Sequence, residues 1–187
     1  MSFTQIRNKP LIFGAVLLQL LILSGMILLA LKPLVTGQEI RLSVIPKDPR
    51  DLFRGNYVDL NYAYRRPDLA KLKHDFAEDQ HFYEGDKLYV TLSKKGSDYV
   101  ATGLYQKPPE NQVFLRVFPT HDFVYKKTDT FHSIWLRAGI EKYFTDPKTA
   151  KEMQNKVSGR DKWKVTAIIM VDDDGVSRIK DLEFKKI

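Results

Sequence analysis

The chain has 187 residues, 43% of them hydrophobic and 12% aromatic, enough for one ordinary core and short for two. It contains no cysteine, which rules out disulfides, thiolate metal sites and a cysteine nucleophile. The formal charge of +7 falls to +4 once the acid-free first 37 residues, with Arg7, Lys9 and Lys32, are set aside; with the signs interspersed, this is a solvated surface rather than a nucleic-acid footprint.

The first predicted element is "LIFGAVLLQLLILSGMILLAL", Leu11 to Leu31, which has no charge and only Gln19 and Ser24 as polar interruptions. At 1.5 Å per residue it reaches about 31 Å, the thickness of a bilayer's hydrocarbon core. It is too long for a cleaved signal region and too evenly apolar for an amphipathic core helix, so an uncleaved signal anchor is expected. Arg7 and Lys9 before the span, against Lys32 after it, put residues 1–10 in the cytoplasm by the positive-inside rule. Residues 32–39, with Pro33 and Gly37, read as a linker, and residues 40–187 as one extracytoplasmic β-rich domain. In a bacterial cell this is a single-pass protein of the cytoplasmic membrane with a periplasmic or outer-surface domain.

In the exported part, Ile40, Leu42 and Val44 alternate with polar neighbours, the period of a half-buried strand that Pro46 and Pro49 then stop. From Tyr57 the alternation resumes, with Val58, Leu60, Tyr62 and Tyr64 on one face. Asp68 is placed to cap a short helix carrying Leu69, Leu72 and Phe76. "DKLYVTLS" and "SDYVATGLYQ" flank a turn at Gly96, and "QVFLRVF" follows as a further strand. Around residues 139–144, Ile140, Lys142 and Phe144 fall on one face and Gly139, Glu141 and Tyr143 on the other. Asp146 and Pro147 start a helix that Gly159 ends, and "KWKVTAIIMV" and "VSRIKDLEF" form a hairpin around Gly175. The first of these two strands is the more continuously apolar and is expected to be central. The fold class is therefore mainly β (α+β): an N-terminal transmembrane helix, then an antiparallel β-rich domain with one or two short helices.

Few motifs carry chemistry. His74, His81, His121 and His132 show no metal-ligand spacing, and "DDDG" fails as a calcium loop because the first and twelfth positions would be Met170 and Asp181. No metal and no cofactor are assigned; Asp172, Asp173 and Asp174 read as a solvated hairpin turn. "KDPRDLFRGN" places Leu52 and Gly55 where a Ser-Lys signal peptidase motif has Leu and Gly, but Lys47 stands at the nucleophile's position and Asn56 at that of the acid after Gly, so acyl transfer by that route is unavailable. Asp48, Asp51, Asp59 and Glu141 are the carboxylates that could form an acid/base pair in space, with Arg50 and Arg54 beside them. The blander reading is that Asp48 and Asp51 bind turn amides and the arginines pair with carboxylates.

"GNYVDLNY", Gly55 to Tyr62, resembles the signature that names the GDYXXLXY family, with Asn56 in place of its Asp. "DPRDLFRG" before it, "EGDKLYVTL" after it and "GIEKYF" near the second helix follow in the family's order, so the resemblance spans about residues 40–185. It implies a bacterial membrane-anchored protein, often encoded beside polytopic membrane proteins. Asn56 accepts a hydrogen bond but cannot act as a general base or a charged ligand. The candidate surface is Asp48, Arg50, Asp51, Arg54, Gly55, Asn56, Tyr57, Leu60, Tyr62, Glu141 and Tyr143. The expected role is a non-catalytic accessory domain contacting the bilayer through residues 11–31 and a polytopic membrane protein or envelope component, with no nucleic acid. The alternative is a hydrolase or ligand-binding enzyme built on the same carboxylates and arginines.

Overall fold

The computed structural model describes residues 9–46, 57–127, 134–158 and 163–186. Among the described residues, an apolar helix, α1 (Lys9–Thr36), precedes twelve short and long strands and a second helix. Its large apolar side chains, such as Leu17, Leu21 and Leu29, are exposed all round, so the helix turns no apolar stripe toward a core. Among the described residues it is the one helix long and apolar enough to cross a membrane, over Leu11–Thr36.

The expected linker is absent. α1 continues through Lys32 and Pro33 to Thr36, and β1 (Gln38–Ser43) starts after the single residue Gly37. A proline inside a helix removes a hydrogen bond and crowds the preceding turn. Here Pro33 lies in the last turn, is buried, and its carbonyl accepts the Gly37 N–H at 3.0 Å. A Cβ on Gly37 would sit 2.3 Å from the Pro33 oxygen and 2.9 Å from the Val171 carbonyl, so only glycine passes between helix and sheet. Lys32 closes the joint from outside, with Nζ 2.8 Å from Asp174 and 3.8 Å from Asp172.

β2 (Tyr57–Asp59) follows, then a turn of 3-10 helix at Ala63–Arg65, β3 (Lys73–His74) and β4 (Gln80–Phe82). The helix expected after Asp68 is a single turn: the Asp68 carbonyl accepts from Lys71 and Leu72, and its carboxylate from the Ala70 N–H. The chain then extends, because His74, Phe76 and Phe82 insert with Tyr125 and Phe123 into one aromatic cluster, with centroids from 4.5 to 5.7 Å. His74 is half-buried at the end of β3, with Nε2 3.2 Å from the Tyr125 hydroxyl.

β5 (Leu88–Lys95) and β6 (Asp98–Tyr105) form the expected hairpin, with Gly96 at φ +65°. With β7 (Val113–Pro119) and β9 (Leu136–Arg137) they make a sheet of order β3-β6-β5-β7-β9, while β8 (Phe123–Tyr125) pairs with β4. The β3–β6 ladder is parallel; the other ladders are antiparallel. β10 (Lys142–Phe144) pairs with β2, and α2 (Pro147–Val157) begins at Asp146, whose carboxylate accepts from the N–H groups of Lys148 and Thr149. Gly159 lies outside the described residues.

β11 (Trp163–Val171) is flanked by β1 and β12 (Ser177–Lys186), the central place its apolar run calls for. The core runs through both larger sheets, from Ile40 and Ile169 to Val90, Leu104 and Leu115. Asp98 stitches the sheets together, accepting from Ser43 Oγ and from Lys164 Nζ, at 2.9 and 2.8 Å. The "DDDG" turn departs from a wholly solvated one: Asp172 is buried and its carboxylate accepts from the N–H groups of Asp174 and Val176.

Candidate interaction site around residues 57–64

The alternation read from Tyr57 onward holds. Val58, Leu60, Tyr62 and Tyr64 are all buried, whereas Tyr57 and Asp59 are half-buried on the other side. β2 is only three residues long, yet pairing continues past its C-terminal end, to a neighbour on each side. The Leu60 N–H donates to the Glu141 carbonyl at 2.8 Å, and the Asn61 carbonyl accepts from Ile45 at 2.7 Å. The motif is therefore threaded between the end of the first strand and the segment 138–144.

Glu141 organises that segment. Its Oε1 accepts from the Ala138 N–H at 2.7 Å and from the Tyr64 hydroxyl at 2.9 Å, and its Oε2 accepts from the Gly139 N–H at 3.0 Å. Gly139 has φ +85°, which a side chain would oppose, so glycine and carboxylate together make the turn. Tyr62 donates to the Ile140 carbonyl at 3.1 Å and stacks on Tyr64, with ring centroids 5.5 Å apart. Burial pushes both phenols well above the ordinary tyrosine range, and the Glu141 charge adds to it. Both phenols stay neutral donors at physiological pH.

Ile140 and Phe144, which alternation placed on one face, part company. Ile140 is buried and Phe144 is 71% exposed, because β10 begins only at Lys142 and Ile140 belongs to the preceding turn. Tyr143 is half-buried opposite Val58. On the outer side, the Tyr57 ring packs against Phe144 at 5.7 Å and carries the Lys142 ammonium 4.8 Å from its centroid. The strand pair has two faces: one ends in the core, the other offers two aromatic rings and a cation.

Asp48, Arg50, Asp51, Arg54, Gly55 and Asn56 lie outside the described residues, so the structure brings together Tyr57, Leu60, Tyr62, Glu141 and Tyr143 from the candidate set. The backbone of Asp59 is held by Gln154 of α2, at 2.9 Å. Sequence reasoning missed Tyr64 as a partner of Glu141, and it missed Trp135, over which the Arg66 and Arg65 guanidinium groups lie at 4.4 and 5.9 Å. The "RRP" run was the only local signal, and it named no aromatic partner. No group of three or more His, Asp or Glu side chains placed to hold a metal occurs among the described residues.

These positions coincide with a family signature. The model of the GDYXXLXY protein family matches residues 19–182. The chain belongs to the GDYXXLXY family. The match runs from inside α1 to β12, so it covers the C-terminal part of the apolar helix, from residue 19, together with the sheets. Comparison with curated proteins and with solved structures returns no match. Within the GDYXXLXY signature the leucine, Leu60, and the final tyrosine, Tyr62, are core residues at 0% and 2% exposure. Tyr57, the first tyrosine, instead faces the cation and the exposed phenylalanine.

Proposed function

We propose that the protein is a non-catalytic accessory module, anchored by α1 with its N-terminus in the cytoplasm. Its β-rich part, residues 40–187, lies as one domain on the far side of the membrane and docks on a polytopic membrane protein or an envelope component. The contact surface is the outer face of β2 and β10, and the proposal adds to it Asp48, Arg50, Asp51, Arg54, Gly55 and Asn56, which precede β2 in the sequence. The observation that carries this reading is the exposed Phe144 beside Tyr57 and Lys142. A large ring left 71% exposed, next to a second ring and a cation, has the composition of a binding hot spot.

The signature's leucine and last tyrosine support the reading from the inner side. They lock β2 into the core, so the outer face is presented on a rigid element. The oxygens of Glu141 are engaged by two backbone amides and a phenol, which suits a structural acceptor. The test is capture of the full-length chain from mild detergent. The reading expects one membrane or envelope protein to copurify, and Phe144→Ala and Lys142→Glu to lose it while the melting temperature stays within error. Recovery of the free chain alone, with no crosslinked partner in cells, overturns it.

A further inference from the structure

Gln19 is the one amide side chain in the apolar helix, and it sits about 3 Å along the axis from the midpoint of Leu11–Leu31. Its side chain is exposed on α1 and makes no hydrogen bond to any described residue. In a bilayer that position is hydrocarbon, where an amide without partners costs several kcal/mol by transfer to an alkane-like medium. Something in the membrane must satisfy it. We infer that α1 self-associates: a second copy of this chain packs in parallel on the Gln19 face, and the two Gln19 amides hydrogen-bond to each other across a twofold axis.

Three features favour a second copy over another occupant. The first is depth: in a parallel pair the two amides lie at the same level by symmetry, and each brings one carbonyl acceptor and two N–H donors, so they complement each other. The second is spacing. Ile12, Ala15, Gln19, Ile22 and Met26 recur at alternating intervals of three and four, the seam of a left-handed helix pair, with the amide at a central position of the type that sets register in coiled coils. Ala15, one turn from Gln19, lets the backbones approach.

The third feature comes from the joint between helix and sheets. Lys32, paired with Asp174, and the buried Pro33 mark the side of α1 on which the β-rich part sits. At 100° per residue Lys32 lies about 140° round the helix from Gln19 and Pro33 about 40°, both on the same flank and beyond the end of the seam at Met26. In a twofold pair closed on the Gln19 face, the two β-rich parts therefore project to opposite sides of the helix pair. Because α1 runs unbroken to Thr36 with no linker, that placement is built in. The outer face of β2 and β10 does not enter the argument, so self-association stands or falls separately from the docking proposed above.

The absence of native cysteine makes the test clean. Single cysteines introduced along α1 of the full-length chain, in membranes, are exposed to an oxidant and resolved by size. Disulfide-linked dimers are expected at Ala15→Cys, Ile22→Cys and Met26→Cys, with little at Leu17→Cys and Leu28→Cys on the opposite side. In the Met26→Cys background, Gln19→Leu is expected to lower the dimer's association constant roughly tenfold, the scale of one interhelical polar contact, and Gln19→Asn to restore most of it. Leucine makes the span more apolar, so loss of insertion does not confound the result. Crosslinking that is uniform round the helix, a dimer unchanged by Gln19→Leu, or adducts only to a different protein would each overturn the inference.

Discussion

Two stretches of this chain are rich in the same residues and use them oppositely. In α1 the leucines and isoleucines point outward on every side, with Leu29 74% and Val35 78% exposed; in the sheets Ile40, Leu60, Leu104 and Ile169 are fully buried. The helix satisfies its backbone internally and leaves its side chains uncovered by the rest of the chain, whereas the strands satisfy theirs between neighbours and turn their side chains into a core. The difference teaches that apolar content alone does not mark a protein interior. What separates the two regions is whether polar residues recur at the period of the element.

The sharpest way to break this comparison is to remove the same atoms from each region. Leu60→Ala is expected to cost about 2–5 kcal/mol, since Leu60 is fully buried and the strands around it are hydrogen-bonded on both flanks. Leu21→Ala, at 63% exposure, is expected to leave the unfolding of the sheets unchanged. Denaturant unfolding of the full chain in detergent, followed by near-ultraviolet circular dichroism, reads both. Equal losses would mean that α1 is packed within the fold after all.

A smaller effect tests whether the core's polar groups behave differently from the helix's. Glu141→Ala leaves the N–H groups of Ala138 and Gly139 and the Tyr64 hydroxyl without their acceptor, and is expected to destabilise by about 1–3 kcal/mol. Glu141→Gln keeps an oxygen and should lose less. If alanine were neutral by the same measurement, the turn would not depend on the carboxylate.

The smallest effect at neutral pH is the one from Tyr62 and Tyr64. Their folded-state pKa values are raised, so their contribution is fully present below the unfolded tyrosine value of about 10 and is lost as pH rises from there through the folded values. The unfolding midpoint should hold to about pH 10 and then fall. Tyrosinate absorbance should show two of the nine tyrosines failing to ionise until the chain unfolds. Gradual ionisation of all nine in the folded protein would remove the buried pair from the account.

Much of this was legible in the residues. The alternation of Ile40, Leu42 and Val44, the run from Val58 to Tyr64, the hairpin turns at Gly96 and Gly175, and the Asp146–Pro147 start of α2 all depend on neighbours a few positions apart. The failures share a cause. Asp68 looked like a helix cap, but the aromatic side chains that follow it are drawn into a cluster with Tyr125 and Phe123, far along the chain. Pro33 and Gly37 looked like a linker because the surface that holds them, the turn before β12, lies more than a hundred residues away. Asp172 looked solvated because burial is not a local property.

By itself the sequence determined the membrane-length helix, the mainly β character and the inward face of the signature, since hydrophobic period and the conformational limits of glycine and proline act over a few residues. Only the tertiary structure decided that β2 pairs with β10, that Glu141 serves Tyr64 and the turn at Gly139, and that Phe144 is left in the open beside Tyr57. Those outcomes depend on which distant segments meet, and that is settled by burying the whole core at once rather than by any local preference.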